Sequence, residues 1–123
     1  MKESDLYIAL TIYHEACNES TRGKVGIGHV ILNRVIRRNL SVKNVIFQPL
    51  QFSCYNQGIK PITDPEKFFR CCQAVNLVRE ERNMGLSFDH ATNYHADYMD
   101  PFPSWIKNMR RIGKVGLHIF YEE

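Results

Sequence analysis

The sequence predicts an α+β domain, mainly helical, with a small antiparallel β ribbon near its C-terminus. Three observations predict it. Apolar residues recur at helical spacing through the segments before Gly85. Asp64-Pro65-Glu66 is a complete helix start: a capping side chain, proline at the first position and an acid in the first turn. After Gly85 the texture changes to short β-like stretches punctuated by glycine and proline. At 123 residues the chain is one domain by length, read as a single catalytic unit over residues 1–123. A chain of this size buries roughly two-thirds of its unfolded surface and folds without staples.

Residues from about 4 to 17 read as the first helix. Ser4 is its expected cap, and Asp5 suits its first turn. Leu6, Ala9, Leu10, Tyr13 and Ala16-Cys17 fall on one face. Glu15 lies off the centre of that stripe, where the apolar pattern stops. A polar turn from Asn18 to Arg22 follows. Gly23 to about Arg38 reads as a second helix, with Val25, Gly28-His29, Leu32 and Val35-Ile36 in register. Gly26 and Gly28 each weaken a helix by about 1 kcal/mol relative to alanine, so two in one segment mark the close passage of another backbone. His29 reads as a satisfied core histidine. Arg34, Arg37 and Arg38 suit a helix C-terminus and need no further role.

Ser41 caps a single turn through Val45. The stretch from Phe47 to Gly58, with Pro49 inside it and Pro61 beyond, is the least regular part. It reads equally as a surface loop with anchoring aromatics or as a cleft wall, since amides bind sugar hydroxyls and aromatic faces stack on sugar rings. The helix begun at Asp64 runs to about Asn83, with Phe68-Phe69, Cys72, Val75 and Val78 (or Leu77) facing in, and Met84-Gly85 ends it. Arg79-Glu80-Glu81-Arg82 reads as a solvated last turn. Residues 91–96 and 112–121 are expected to pair as an antiparallel ribbon, the latter with glycines at turn or bulge positions. Between them Ser104 caps a brief helix containing Trp105 and Ile106.

A net charge of +3 is too small to argue for nucleic acid and mildly favours an anionic polymer surface. No apolar run reaches the length that spans a bilayer, so stable membrane insertion is not expected. Met1-Lys2-Glu3-Ser4-Asp5 lacks the layout of a secretory signal, so the chain is expected either to stay in the cytoplasm or to be released by another agent. Cys17, Cys54, Cys71 and Cys72 read as reduced thiols used as small core residues; a Cys17–Cys54 bridge is the open alternative.

Two acids dominate the chemistry. Glu15 and Glu19 are i and i+4 if the first helix continues. A half-buried carboxyl at Glu15 would have a raised pKa, which a general acid needs to hold a proton near neutral pH. Alone, an acid in a helix is in most cases a solvated structural residue, and the rest of the chain is what favours catalysis. His14-Glu15 invites a zinc-protease reading, which fails because the second histidine's position is Asn18. His90, His95 and His118 with Cys17 or Cys54 lack the short spacing of a structural zinc site, so no metal and no cofactor are expected. Nothing local marks Cys54 as an activated nucleophile. Asp89, Asp97 and Asp100 are later acidic candidates. One raised carboxyl near amides and aromatics is a pattern of glycosidic bond cleavage.

Four segments in order then carry a resemblance: Ile12-Tyr13-His14-Glu15-Ala16-Cys17-Asn18-Glu19-Ser20; Gly28-His29-Val30-Ile31-Leu32-Asn33-Arg34-Val35; Gln51-Phe52-Ser53-Cys54; and Ala91-Thr92-Asn93-Tyr94-His95-Ala96 with Ile112-Gly113 and Gly116-Leu117-His118-Ile119-Phe120. The chain resembles the cell-wall hydrolases of the spore cortex-lytic (SleB-type) family, whose members also occur in bacteriophages. The resemblance implies a lysozyme-like domain performing lytic transglycosylation at the MurNAc–GlcNAc β-1,4 linkage. Glu15 matches the family's catalytic glutamate. His14, Cys17 and Asn18 stand where members carry glycine, arginine and glycine, which keeps a non-catalytic wall-binding module open. A hydrolytic muramidase using a second carboxylate is the other alternative. Under this resemblance Gln51, Ser53, Tyr94 and His95 position the sugars. Phe52 and Trp105 are ring-stacking surfaces, with core packing equally open for Phe52. Glu19 and His118 orient the site. The expected partner is the peptidoglycan glycan strand, bound by a monomer. A phage endolysin released through a holin and a virion-borne lysin both fit the missing leader.

Overall fold

The computed structural model describes residues 1–48 and 51–123, so the Pro49 flank of the irregular stretch lies outside the described residues. Four α-helices precede a three-stranded sheet: α1 (Glu3–Ala16), α2 (Thr21–Arg38), α3 (Val42–Ile46), α4 (Pro65–Asn83), then β1 (Asn93–Ala96), β2 (Arg110–Val115) and β3 (His118–Glu122). Short 3-10 turns at Ser53–Tyr55, Phe88–His90 and Ser104–Asn108 fill the connections. This is the expected mainly helical α+β architecture of lysozyme-like type.

α2 is the centre. Every residue from Gly23 to Arg34 is buried, which only a helix covered on all sides can show. Its glycines make the room. A Cβ at Gly28 would stand 2.7 Å from Val78 Cγ2 of α4, and one at Gly26 would stand 2.9 Å from Phe120 Cζ of β3. The close neighbours are side chains from two layers, rather than the single backbone the sequence led us to expect. Ser20 caps α2 by accepting from Gly23 N at 3.1 Å, so Thr21 and Arg22 belong to the helix and not to the preceding turn. At the other end Asn39 closes it in the left-handed region (φ 53°).

Two helical stripes are rotated from expectation. On α1 the buried set is Asp5, Ile8, Ala9, Thr11, Ile12, Tyr13 and Ala16, and Leu6 is 46% exposed. Asp5 takes the inward position because Arg79 of α4 meets it at 2.7 Å. Asp5 Oδ2 also accepts from the Lys2 backbone N–H at 3.3 Å, so the helix begins at Glu3 and Ser4 is not its cap. On α4 the inward residues are Cys71, Ala74, Val75 and Val78, while Phe69 is 61% exposed. That helix is apolar on more than one face, so periodicity does not fix its rotation; the notch at Gly28 does. Asp64 caps α4 as expected, accepting from Lys67 N at 3.1 Å.

The run Arg79-Glu80-Glu81-Arg82 is not a solvated turn. Glu81 holds Arg22 at 2.6 Å and the fully buried His29 at 2.9 Å, and Arg82 donates to Asn33 Oδ1 at 2.6 Å. These contacts fasten α4 to α2. Arg34 likewise is no surface cation: it is buried, donates from Nε to the Thr92 carbonyl at 2.6 Å and lies over the Phe52 ring.

The sheet is antiparallel in the order β1-β3-β2. Tyr94 faces Phe120 and Ala96 faces His118 across β1–β3. The predicted 112–121 strand is in fact a hairpin of β2 and β3. Gly116 (φ +59°) makes its turn, and the register slips between Arg111 and Gly113 in a bulge. Pro103, not Ser104, precedes the turn carrying Trp105. All four cysteines are free thiols.

Candidate active site

α1 ends at Ala16, so Glu15 sits in its last turn and Glu19 is not one helical turn further along. The Glu19 N–H closes a turn onto the Ala16 carbonyl at 3.0 Å, which frees the Glu19 side chain to reach the hairpin. There Glu19 Oε1 accepts from Leu117 N at 3.0 Å and meets His118 Nδ1 at 3.0 Å. The His118 ring lies edge-on to Tyr94 with centroids 5.0 Å apart. The Tyr94 hydroxyl donates to Glu15 Oε1 at 3.1 Å. Glu19, His118, Tyr94 and Glu15 thus form one connected chain from the hairpin to the end of α1.

Burial raises the Glu15 carboxyl above the ordinary glutamate range. The Tyr94 hydrogen bond and the positive charge of Arg34 pull it back without cancelling the rise. The Tyr94 phenol is itself pushed well up, first by burial and then by Glu15, so it stays a donor. Cys54 is pushed up to about 12, again by burial and then by Glu15. A thiol so disposed is no nucleophile near neutral pH.

Glu15 opens onto a depression of about 300 Å³. Glu15 and Glu19 are the only acids among its described lining residues. His14 and Asn18 line it together with Leu117, His118 and Tyr98. Two larger hollows, of about 540 and 580 Å³, flank the Gly85–His90 segment. Size does not locate the chemistry. Their glutamates, Glu122 and Glu81, both lie below the ordinary range. No group of three potential metal ligands occurs among the described residues.

The other expected site residues divide. Tyr94 and His118 come to Glu15 and Glu19. His95 does not, because neighbours on a strand face opposite ways. Its ring is buried, hydrogen-bonds Tyr121 Oη at 2.9 Å, and packs with Phe102 and Trp105. Trp105 belongs to that same far cluster. Phe52 is 2% exposed and is core. Gln51 accepts from Arg38 at 2.9 Å. Ser53 is exposed at the start of the turn whose Cys54 feels the Glu15 charge. Tyr98, Leu117 and Arg34 are not among the site residues the sequence predicts; Arg34 reads there only as a helix-end cation. Strand parity would have separated Tyr94 from His95; nothing local marks Tyr98 or Leu117.

The comparisons follow this geometry. No curated protein matches the chain. Two solved structures resemble it over nearly their whole length. One is the catalytic domain of the germination-specific lytic transglycosylase SleB from Bacillus anthracis, 28% identical, covering 99% of this chain and 97% of that one, with a TM-score of 0.73. The other is the catalytic domain of the SleB protein of Bacillus cereus, 26% identical, covering 98% and 91%, with a TM-score of 0.71. A model of the cell wall hydrolase family matches residues 18–121, beginning three positions after Glu15. The chain belongs to the cell wall hydrolase family.

Proposed function

We propose that this chain is a peptidoglycan lytic transglycosylase and that Glu15 alone supplies its acid and its base. The observation that carries this reading is the Glu15 carboxyl itself: raised by burial, hydrogen-bonded by Tyr94 and open to a depression in which the other acid is already engaged. The protonated carboxyl donates to the glycosidic oxygen as the bond to the muramic C1 breaks. The resulting carboxylate takes the proton of the muramic C6 hydroxyl as that oxygen closes on C1. The proton count balances, and no water enters.

Counting carboxylates favours this over hydrolysis. Inversion needs a second carboxylate roughly 6.5–9.5 Å away across the sugar, and retention needs one at about 5–5.5 Å. Glu19 is turned to Leu117 and His118, and Asp97 is paired with Lys114 at 2.6 Å. The likeness to a domain described as a lytic transglycosylase supports the same choice. Residues 1–123 act in this reading as one catalytic unit, a monomer working on the bacterial wall. Among the described residues no helix is long and apolar enough to cross a membrane.

Mass spectrometry of a sacculus digest tests the reaction. Muramic ends one water lighter than reducing ends, and resistant to borohydride, are expected. Predominantly reducible muramic acid would make the protein a muramidase, and binding without release of muropeptides would make it a wall-binding module.

A further inference from the structure

The floor of the depression carries two acids, yet the strand proposed to bind there is itself anionic at muramic acid. Where it is not closed into a lactam, the lactyl group at O3 ends either in its own carboxylate or in a peptide with carboxylates. An anion brought beside Glu19, and beside Glu15 once that group has given up its proton, meets repulsion unless a cation stands near. The structure holds one. Lys67, in the first turn of α4, reaches across to Asn18 on the rim, where its ammonium donates to Asn18 Oδ1 at 2.8 Å. That acceptor is a neutral amide, so the charge is not cancelled. None of the described ion pairs includes Lys67. Glu66 beside it turns to Arg70 at 2.9 Å, and Asp64 is committed to the α4 cap.

The position is otherwise a poor one for a lysine, because a cation at a helix N-terminus opposes the helix dipole. The same side of the site is built up by His14, whose Nε2 meets the Lys60 carbonyl at 3.0 Å and ties the 60–64 segment to α1. Tyr13 secures the rest of it, its hydroxyl accepting from Thr63 N at 3.2 Å and Asp64 N at 3.0 Å. Asn18 and His14 are two of the positions where this chain departs from the family pattern.

We propose that Lys67, held on the rim by Asn18, reads a carboxylate on the O3-lactyl substituent of the bound muramic acid and selects acidic glycan strands over neutral ones. This rests on the glycan-cleaving reading above. The wild-type protein is assayed on three strands: one with muramic acid converted to its neutral lactam, one freed of peptides to leave bare lactyl carboxylates, and one carrying peptides. The quantity read is the ratio of kcat/KM on each acidic strand to that on the lactam strand. Lys67→Gln is expected to lower the ratio by about fivefold, the scale of an exposed charge contact, and Lys67→Arg to restore it. A fall on the bare-lactyl strand alone assigns the carboxylate to the sugar; a fall on the peptide-bearing strand alone assigns it to the peptide. In the wild type the ratio should also shrink as salt rises, because exposed charges are screened. An unchanged ratio in a folded Lys67→Gln protein overturns the proposal, as does a wild-type ratio that ignores salt. A wild-type protein that cuts none of the three strands overturns the underlying reading instead.

Discussion

Glu15 and Glu81 are both partly buried glutamates, and they end on opposite sides of the ordinary glutamate range. Burial raises each. At Glu81 the contacts of Arg22 and His29 together outweigh that rise, and the net direction is down. At Glu15 the partners are a phenol and a more distant guanidinium, and the net direction is up. A carboxylate given direct ionic partners becomes a fastener between helices. One given a neutral donor and an open side keeps its proton available for transfer.

The largest expected effect separates the two outright. Glu15→Gln should fold normally and lose wall-lytic activity by about a thousandfold or more. Turbidity clearing by the well-folded variant at the wild-type rate would sink the Glu15 mechanism. Glu81→Gln should do the reverse, keeping the activity of the folded fraction while losing about 1–3 kcal/mol of stability in urea melts, because it leaves Arg22 and the buried His29 without their anion.

The pH dependence has opposite signs at the two sites. Glu81, lowered in the fold, contributes stability above its unfolded pKa that is lost as pH falls through the folded value. Glu15, raised in the fold, contributes stability below its unfolded pKa that is lost as pH rises through the folded value. Glu15→Gln should therefore flatten the stability loss on the alkaline side, and Glu81→Gln the loss on the acid side. Melts of both variants from acid to neutral pH check this; parallel curves for the two would refute the contrast.

A smaller effect comes from Tyr94→Phe. The phenol favours the charged form of Glu15, so removing it should raise the Glu15 pKa further and carry the alkaline limb of the rate profile to higher pH. A limb that stays in place would show that Tyr94 only packs. The smallest expected effect is that of a strong chelator, after which activity should be unchanged. Loss with recovery on adding zinc would point to a metal-dependent amidase or peptidase.

What the sequence displayed and what it hid follow one division. The Asp64-Pro65 start and the edge position of Glu15 are local signals, and they hold in the structure; the paired glycines of α2 do mark a close approach, though of side chains and not of a backbone. Exposure at Leu6 and Phe69 was hidden because it depends on which neighbour arrives, not on spacing along one helix. The run 79–82 looked solvated for the same reason: its partners Asp5, Arg22, His29 and Asn33 are remote in sequence. His95 and Trp105 have chemistry suited to a sugar site, but the alternation of β1 sends His95 to the far face of the sheet, where Trp105 of the 104–108 turn packs against it. Tyr98 and Leu117 join the site only through the packing of the hairpin on the end of α1.

That packing bears on when the enzyme comes into being. Glu19 and the hairpin tip are 98 positions apart, and the tip lies close, a Cβ at Gly116 (φ +59°) standing 2.9 Å from Glu19 Oε1. Contacts of such long separation close late in folding, since the intervening chain must first be ordered. A nascent chain that has emerged only as far as Lys114 has Glu15 but no His118 to hold Glu19 and no Leu117 wall. Synthesis of a wall-cutting catalyst is thus uncoupled from its activity until the β2–β3 hairpin has been made.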